Sequence, residues 1–186
     1  MRNGFAAFVL FCLVMVASRD ARAFDDSTRR PFYVQGIVGS YSFWASFEGT
    51  DLVFWHPDVE FGYHFTGRHD GFVLGIRQGF NVGRDPFDIG QTELRGGYDF
   101  AIPLKNGRFE ITIAPYATFG LDYLFRGPQA GLRFAAGIEG KLFFIENVYV
   151  VVRAIELSAG EFVDLGPLEK NVYFNFNGGV GAGFAF

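Results

Sequence analysis

Cysteine is almost missing from this chain: among its 186 residues the only one is Cys12. No disulfide framework is therefore available to hold a fold together. Positive charge is also in short supply, with 16 Lys and Arg against 20 Asp and Glu. That balance excludes the basic footprint of a nucleic-acid-binding protein. Beyond residue 23 no apolar run approaches the roughly 20 residues that a membrane-crossing helix needs. No low-complexity linker divides the chain, and only three histidines occur, His56, His64 and His69.

What the chain has instead is aromatic surface and glycine. Phe, Tyr and Trp make up 19% of the residues, beside 25 glycines. The opening segment, MRNGFAAFVLFCLVMVASRDARA, accounts for little of this. It carries a basic Arg2, an apolar run from Phe5 to Ala17 and an A-x-A pattern at Ala21 and Ala23. This is the layout of a cleaved secretory signal peptide, so 1–23 is expected to be removed and 24–186 to fold as one domain. The remaining segment holds 13 basic and 19 acidic residues and no cysteine. An exported fold without disulfides is implied.

The aromatics are placed with a period of two, the mark of extended strands. In DVEFGYHF, Val59, Phe61, Tyr63 and Phe65 alternate with Asp58, Glu60, Gly62 and His64. In GFVLGIRQGF, Phe72, Leu74, Ile76 and Phe80 alternate with Val73, Gly75, Arg77 and Gly79. The same reading sets Glu93, Arg95 and Asp99 against Leu94, Tyr98 and Phe100, and Glu110, Thr112, Tyr116 and Thr118 against Ile111, Ile113 and Phe119. It sets Arg133, Glu139 and Lys141 against Leu132, Phe134, Ile138 and Leu142. The strand containing Arg153 and the first strand, FYVQGIVGSYSF, leave their phase open. The last strand, NVYFNFNGGVGAGFAF, alternates through Val180 and Phe184 and stops on Phe186.

Together these make eight strands. Tight turns at 67–70, 103–108 and 145–147 alternate with longer connections at about 45–57, 83–89, 122–130 and 158–170. Short turns on one rim and longer loops on the other is the plan of an outer-membrane barrel. The expected fold is all-β: an eight-stranded antiparallel up-and-down transmembrane β-barrel. Eight strands enclose an interior just wide enough for side chains to fill. Glycine and charge fit that space and a crowd of phenylalanines does not, so the aromatic face is assigned to lipid. A soluble ligand-carrying barrel is the architectural alternative and would need an apolar lumen.

The alternation ending on Phe186 resembles the terminal signal of the small eight-stranded outer-membrane barrel family, the group of the OmpA membrane domain, OmpX and OmpW. The resemblance covers 24–186. It implies integral insertion in the outer membrane of a Gram-negative bacterium, contact with lipid and lipopolysaccharide, and recognition of Val180, Phe184 and Phe186 by the barrel-assembly machinery.

The expected lumen set is Asp58, Glu60, Glu93, Asp99, Glu110 and Glu139 against Arg77, Arg95, Arg133, Lys141 and Arg153, with His64 as a hydrogen-bonded companion. Near balance of sign suits a salt-bridge network, since buried charge is tolerated only when paired. The leading functional reading is a porin-like but side-chain-filled barrel with a structural or surface-interaction role. The alternative is a narrow channel for small or hydrophobic solutes; Trp44 and Trp55 flank the first long connection, with Phe43, Phe47 and Phe54 close by, and read as an aromatic girdle or as an apolar opening for such a solute. A lipid A-modifying enzyme ranks lower. The His-x-Ser-Asn motif of the outer-membrane deacylases meets AIELSAG here, with Glu156 in the histidine's place, Ser158 as the serine and Ala159 for asparagine. No catalytic residue, cofactor, metal or nucleic-acid partner is expected. His56 is read as lying near the loop rim and His69 in a turn on the opposite rim, with His64 alone inward.

Overall fold

A computed structural model describes residues 30–46, 49–67, 69–82, 89–104, 109–125, 129–164 and 170–186. The leader and its cleavage site lie outside the described residues. The strands are β1 (Phe32–Ser46), β2 (Gly49–Trp55), β3 (Asp58–His64), β4 (Gly71–Asn81), β5 (Ile89–Pro103), β6 (Glu110–Leu124), β7 (Gln129–Ile145), β8 (Val148–Asp164) and β9 (Lys170–Ala185). β2 and β3 run in the same direction along β1, Trp55 opposite Tyr41 and Asp58 opposite Ile37. They are two lengths of one stave, broken at His56 and Pro57. Each stave pairs antiparallel with the next, and β9 pairs back onto β1. The result is a closed eight-stave barrel with no helix among the described residues.

Closure removes the sheet edges that would otherwise invite aggregation. The seam is complete at its end: Phe32 and Phe186 exchange backbone hydrogen bonds of 3.1 and 2.8 Å, and the Ala185 N–H donates to the Asn147 carbonyl at 2.8 Å. Val180, Phe184 and Phe186 all point outward, and the Phe186 ring packs against those of Phe32 and Phe184.

The first long connection is not a loop. The stretch expected to be open from Ala45 to Pro57 contains β2, with Ser46 opposite Gly49 and Trp44 opposite Leu52. Leu52, Val53, Phe54 and Trp55 are good strand formers; β2 pairs with β1 along one side, and Trp55 bridges to Val82 on the other. Likewise β6 runs to Leu124 and β8 to Asp164, further than the sequence suggested. On the opposite rim β7 and β8 are joined through Glu146 and Asn147, and Gly67 and Gly71 near the β3–β4 connection have positive φ, 75° and 96°.

The two faces separate cleanly. Phe72 is 67% exposed and Phe134 59%, with Leu74, Ile76, Leu94, Phe100, Ile113 and Phe119 beside them on the outer wall. The inner wall buries Arg, Lys, Asp and Glu. This inverts a soluble protein and matches a lipid-facing apolar band around a polar interior. β1 resolves its phase with Tyr33, Gln35 and Ile37 inward.

The inner glycines have a specific purpose. Tyr33 lies opposite Gly62, Tyr116 opposite Gly137, and Tyr149 and Tyr173 opposite Gly183 and Gly160. In each pair the tyrosine ring leans onto the neighbouring stave, and a Cβ on the glycine would collide with it. Rings laid over cross-strand glycines fill a narrow lumen and fix the strand register together.

Candidate functional site

The inward-pointing charges converge along the barrel axis. Near the turn rim, Lys141 donates to Asp99 Oδ2 at 2.6 Å, and His64 Nε2 lies 3.0 Å from the same oxygen. The neighbouring Tyr33 hydroxyl donates to Glu60, and the Lys141 ammonium sits 5.0 Å from the Tyr33 ring centre. Higher up, Arg95 Nη1 bridges Glu60 and Glu139, at 2.8 Å to each. Arg153 then joins Glu139 at 3.0 Å to Asp58 at 2.6 Å.

A second cluster follows. Arg77 donates to Glu93 at 2.7 Å and to Glu156 at 2.5 Å. Arg133 contacts the same two carboxylates, Glu93 at 3.0 Å and Glu156 at 2.8 Å. Thr118 donates to Glu93 at 2.9 Å, and Asn177 to Glu156 at 2.8 Å. Tyr116 stands between the clusters. Its hydroxyl donates to Glu156 at 2.7 Å, while the Arg95 guanidinium lies 4.1 Å from its ring centre. Cation–π contact of this kind gains strength where water is excluded.

Glu60, His64, Arg77, Glu93, Arg95, Arg133, Glu139, Lys141 and Arg153 thus share one buried assembly. Glu110 stands apart: it is half-buried at the turn rim, 3.4 Å from His69, whose ring stacks on Phe143. The structure also corrects the expected set. Glu156 is fully buried and central, although strict alternation from Arg153 would turn it outward. A bulge between Arg153 and Glu156 shifts the register, leaving both Ala154 and Ile155 exposed. A glutamate between Ile155 and Leu157 was the available signal, because a lipid-facing position there would strand a charge in hydrocarbon. Asp122 also points inward, because β6 continues past it.

His56, read as a loop-rim residue, is buried at 1% exposure. Its Nε2 sits over Gly79, where a Cβ would meet it at 2.6 Å. Trp55 faces outward, and its indole N–H donates to the Val38 carbonyl at 2.5 Å. The Trp44 side chain lies outside the described residues. Among the described residues no three His, Cys, Asp or Glu side chains gather as metal ligands would.

This arrangement is a lumen filled by cross-linked side chains inside a lipid-facing wall. The chain has the fold of a small eight-stranded outer-membrane β-barrel. Neisserial surface protein A superposes with a TM-score of 0.51 at 11% identity, over 83% of this chain and 97% of that one. The N-terminal barrel domain of OprF from Pseudomonas aeruginosa gives a TM-score of 0.37 at 15% identity, over 83% of this chain and 97% of its own. Ail, the attachment invasion locus protein of Yersinia pestis, gives 0.36 at 11%, over 84% and 99%. No protein-family model and no curated protein matches the sequence.

Proposed function

We propose that the chain is an integral protein of a Gram-negative outer membrane, delivered by a cleaved leader at 1–23, whose lumen is closed and whose role is structural or interactional at the membrane surface. The observation that carries this reading is the cross-linking of the lumen. Five buried cations, Arg77, Arg95, Arg133, Lys141 and Arg153, each contact a buried carboxylate on another stave. Opening a path would require separating such pairs, and a buried pair deprived of one member costs about 3–5 kcal/mol.

The apolar wall is suited to lipid and to the acyl chains of lipopolysaccharide. Val180, Phe184 and Phe186 are offered for recognition during barrel assembly. We assign the chain no reaction. Ser158 points into the lumen, and Glu156 is held by Arg77, Arg133, Tyr116 and Asn177, which leaves it unsuited to serve as a base.

Single-channel recording of the refolded barrel in a planar bilayer tests the reading. Silence from protein verified as folded is the expected result. Discrete openings that change with Arg77→Ala or Glu139→Ala would replace it with a narrow channel for small solutes.

A further inference from the structure

The salt-bridge assembly leaves one carboxylate over. Of the seven buried acids among the described residues, Asp58, Glu60, Glu93, Asp99, Glu139 and Glu156 each contact a cation, and Asp122 contacts no described cation within ion-pair distance. Asp122 has 0% exposure, and neither of its oxygens has a hydrogen-bond partner of normal geometry. Among the described residues seven buried acids face five buried cations, all five cations are engaged with the other six acids, and Asp122 is left without one.

The groups around it share the same want. Gln91 lies directly opposite Asp122 on the next stave, and Gly79, beneath the His56 ring, lies opposite Gln91. Both amide atoms of Gln91 and both ring nitrogens of His56 are buried without a partner. Between β8 and β9, Ser158 pairs in register with Asn175, and Ser158 Oγ and Asn175 Nδ2 are likewise unpartnered. Leaving a buried polar group unsatisfied costs about 1–3 kcal/mol, more when it is charged. A group that supplies one positive charge and N–H donors would relieve the carboxylate, the Gln91 oxygen and an imidazole nitrogen together.

We infer that Asp122, Gln91 and His56 at the loop end of the lumen form an enclosed binding site for a small ammonium-type cation, with Asp122 as counter-ion and Gln91 and His56 as hydrogen-bonding companions. The site lies beyond the plug and goes further than the closed-barrel reading, because occupancy does not require conduction. The ligand must be small, since these atoms are sealed from bulk solvent.

The test is titration of refolded, isotope-labelled protein with methylammonium chloride against sodium chloride at matched ionic strength, read at the Gln91 side-chain amide and the Asp122 carboxyl by NMR. Heat-modified gel migration confirms folding of each variant. The inference expects saturable shifts with methylammonium and not with sodium, weakened at least tenfold in Asp122→Asn and retained in Asp122→Glu. Folded protein without saturable shifts would overturn it. So would equal shifts with sodium, binding unchanged in Asp122→Asn, or a carboxyl resonance showing Asp122 satisfied by a proton alone.

Discussion

The two ends of the lumen are built from the same residue types and satisfied to different degrees. From the turn rim to mid-barrel, Asp99, Glu60, Glu139 and Asp58 each meet a cation from another stave. At the loop end Asp122, Gln91 and His56 face inward with polar atoms unmatched. The difference is one of partners rather than burial, since both sets are fully enclosed. Stability of such a lumen therefore resides in its middle, where each charge is shared by two or three staves, and the loop end is the place where a substitution can be absorbed.

Removing Glu156 should break the contrast most severely. Glu156→Ala takes a carboxylate from both Arg77 and Arg133, and a loss of about 3–5 kcal/mol is expected. Urea unfolding of the barrel in lipid vesicles measures it. On the outer wall, Phe134→Arg places a charge among apolar neighbours, and a cost of about 2–4 kcal/mol is expected near the midplane, from the same unfolding curves. An unchanged midpoint there would mean that the wall does not meet lipid. Tyr116→Phe keeps the ring over Gly137 and removes only the hydroxyl bond to Glu156. About 1.5–3 kcal/mol is expected, the usual range for a bond to a charged group. Asp122→Asn closes the series, with a change below about 1 kcal/mol or a gain, because no ion pair is lost. A loss as large as that of Glu156→Ala would abolish the distinction between the two regions.

Much of this was legible in the sequence because β-alternation and lipid make a strong code together. Phe72, Phe134 and Ile113 had to share a face, and eight strands left that face nowhere to go but outward. Arg77, Glu93, Arg95 and Glu139 followed on the other face by parity. Parity fails where the count is interrupted. The bulge before Glu156 moved that residue inward, and its only local mark was a charge between Ile155 and Leu157 at a position that parity assigns to lipid. The break at His56 and Pro57 hid β2 in the same way, since a proline beside a histidine and an aspartate reads as loop chemistry. Which acid meets which base across the lumen was not in the sequence. Register sets some pairs, such as Arg77 with Glu93 and Glu139 with Arg153, but Arg77 and Glu156 meet across the lumen from staves that are not neighbours, where side-chain reach decides.

The seam between Phe32 and Phe186 is also the pairing of longest sequence separation. β3 to β9 each pair with the stave before them through a connection of modest length, so most of the sheet can grow by local hairpins. The β1–β9 ladder joins the most distant parts of the described chain, and its loop-closure entropy is correspondingly large. Until it forms, the molecule is an open sheet with two bare edges and an inner face of unmatched charge. The contacts that cross the lumen, from Arg95 to Glu139 and from Arg153 to Asp58, become available only as the sheet curls. Curling therefore brings the charges together, and closing the seam carries the largest loop-closure cost of any pairing in the sheet.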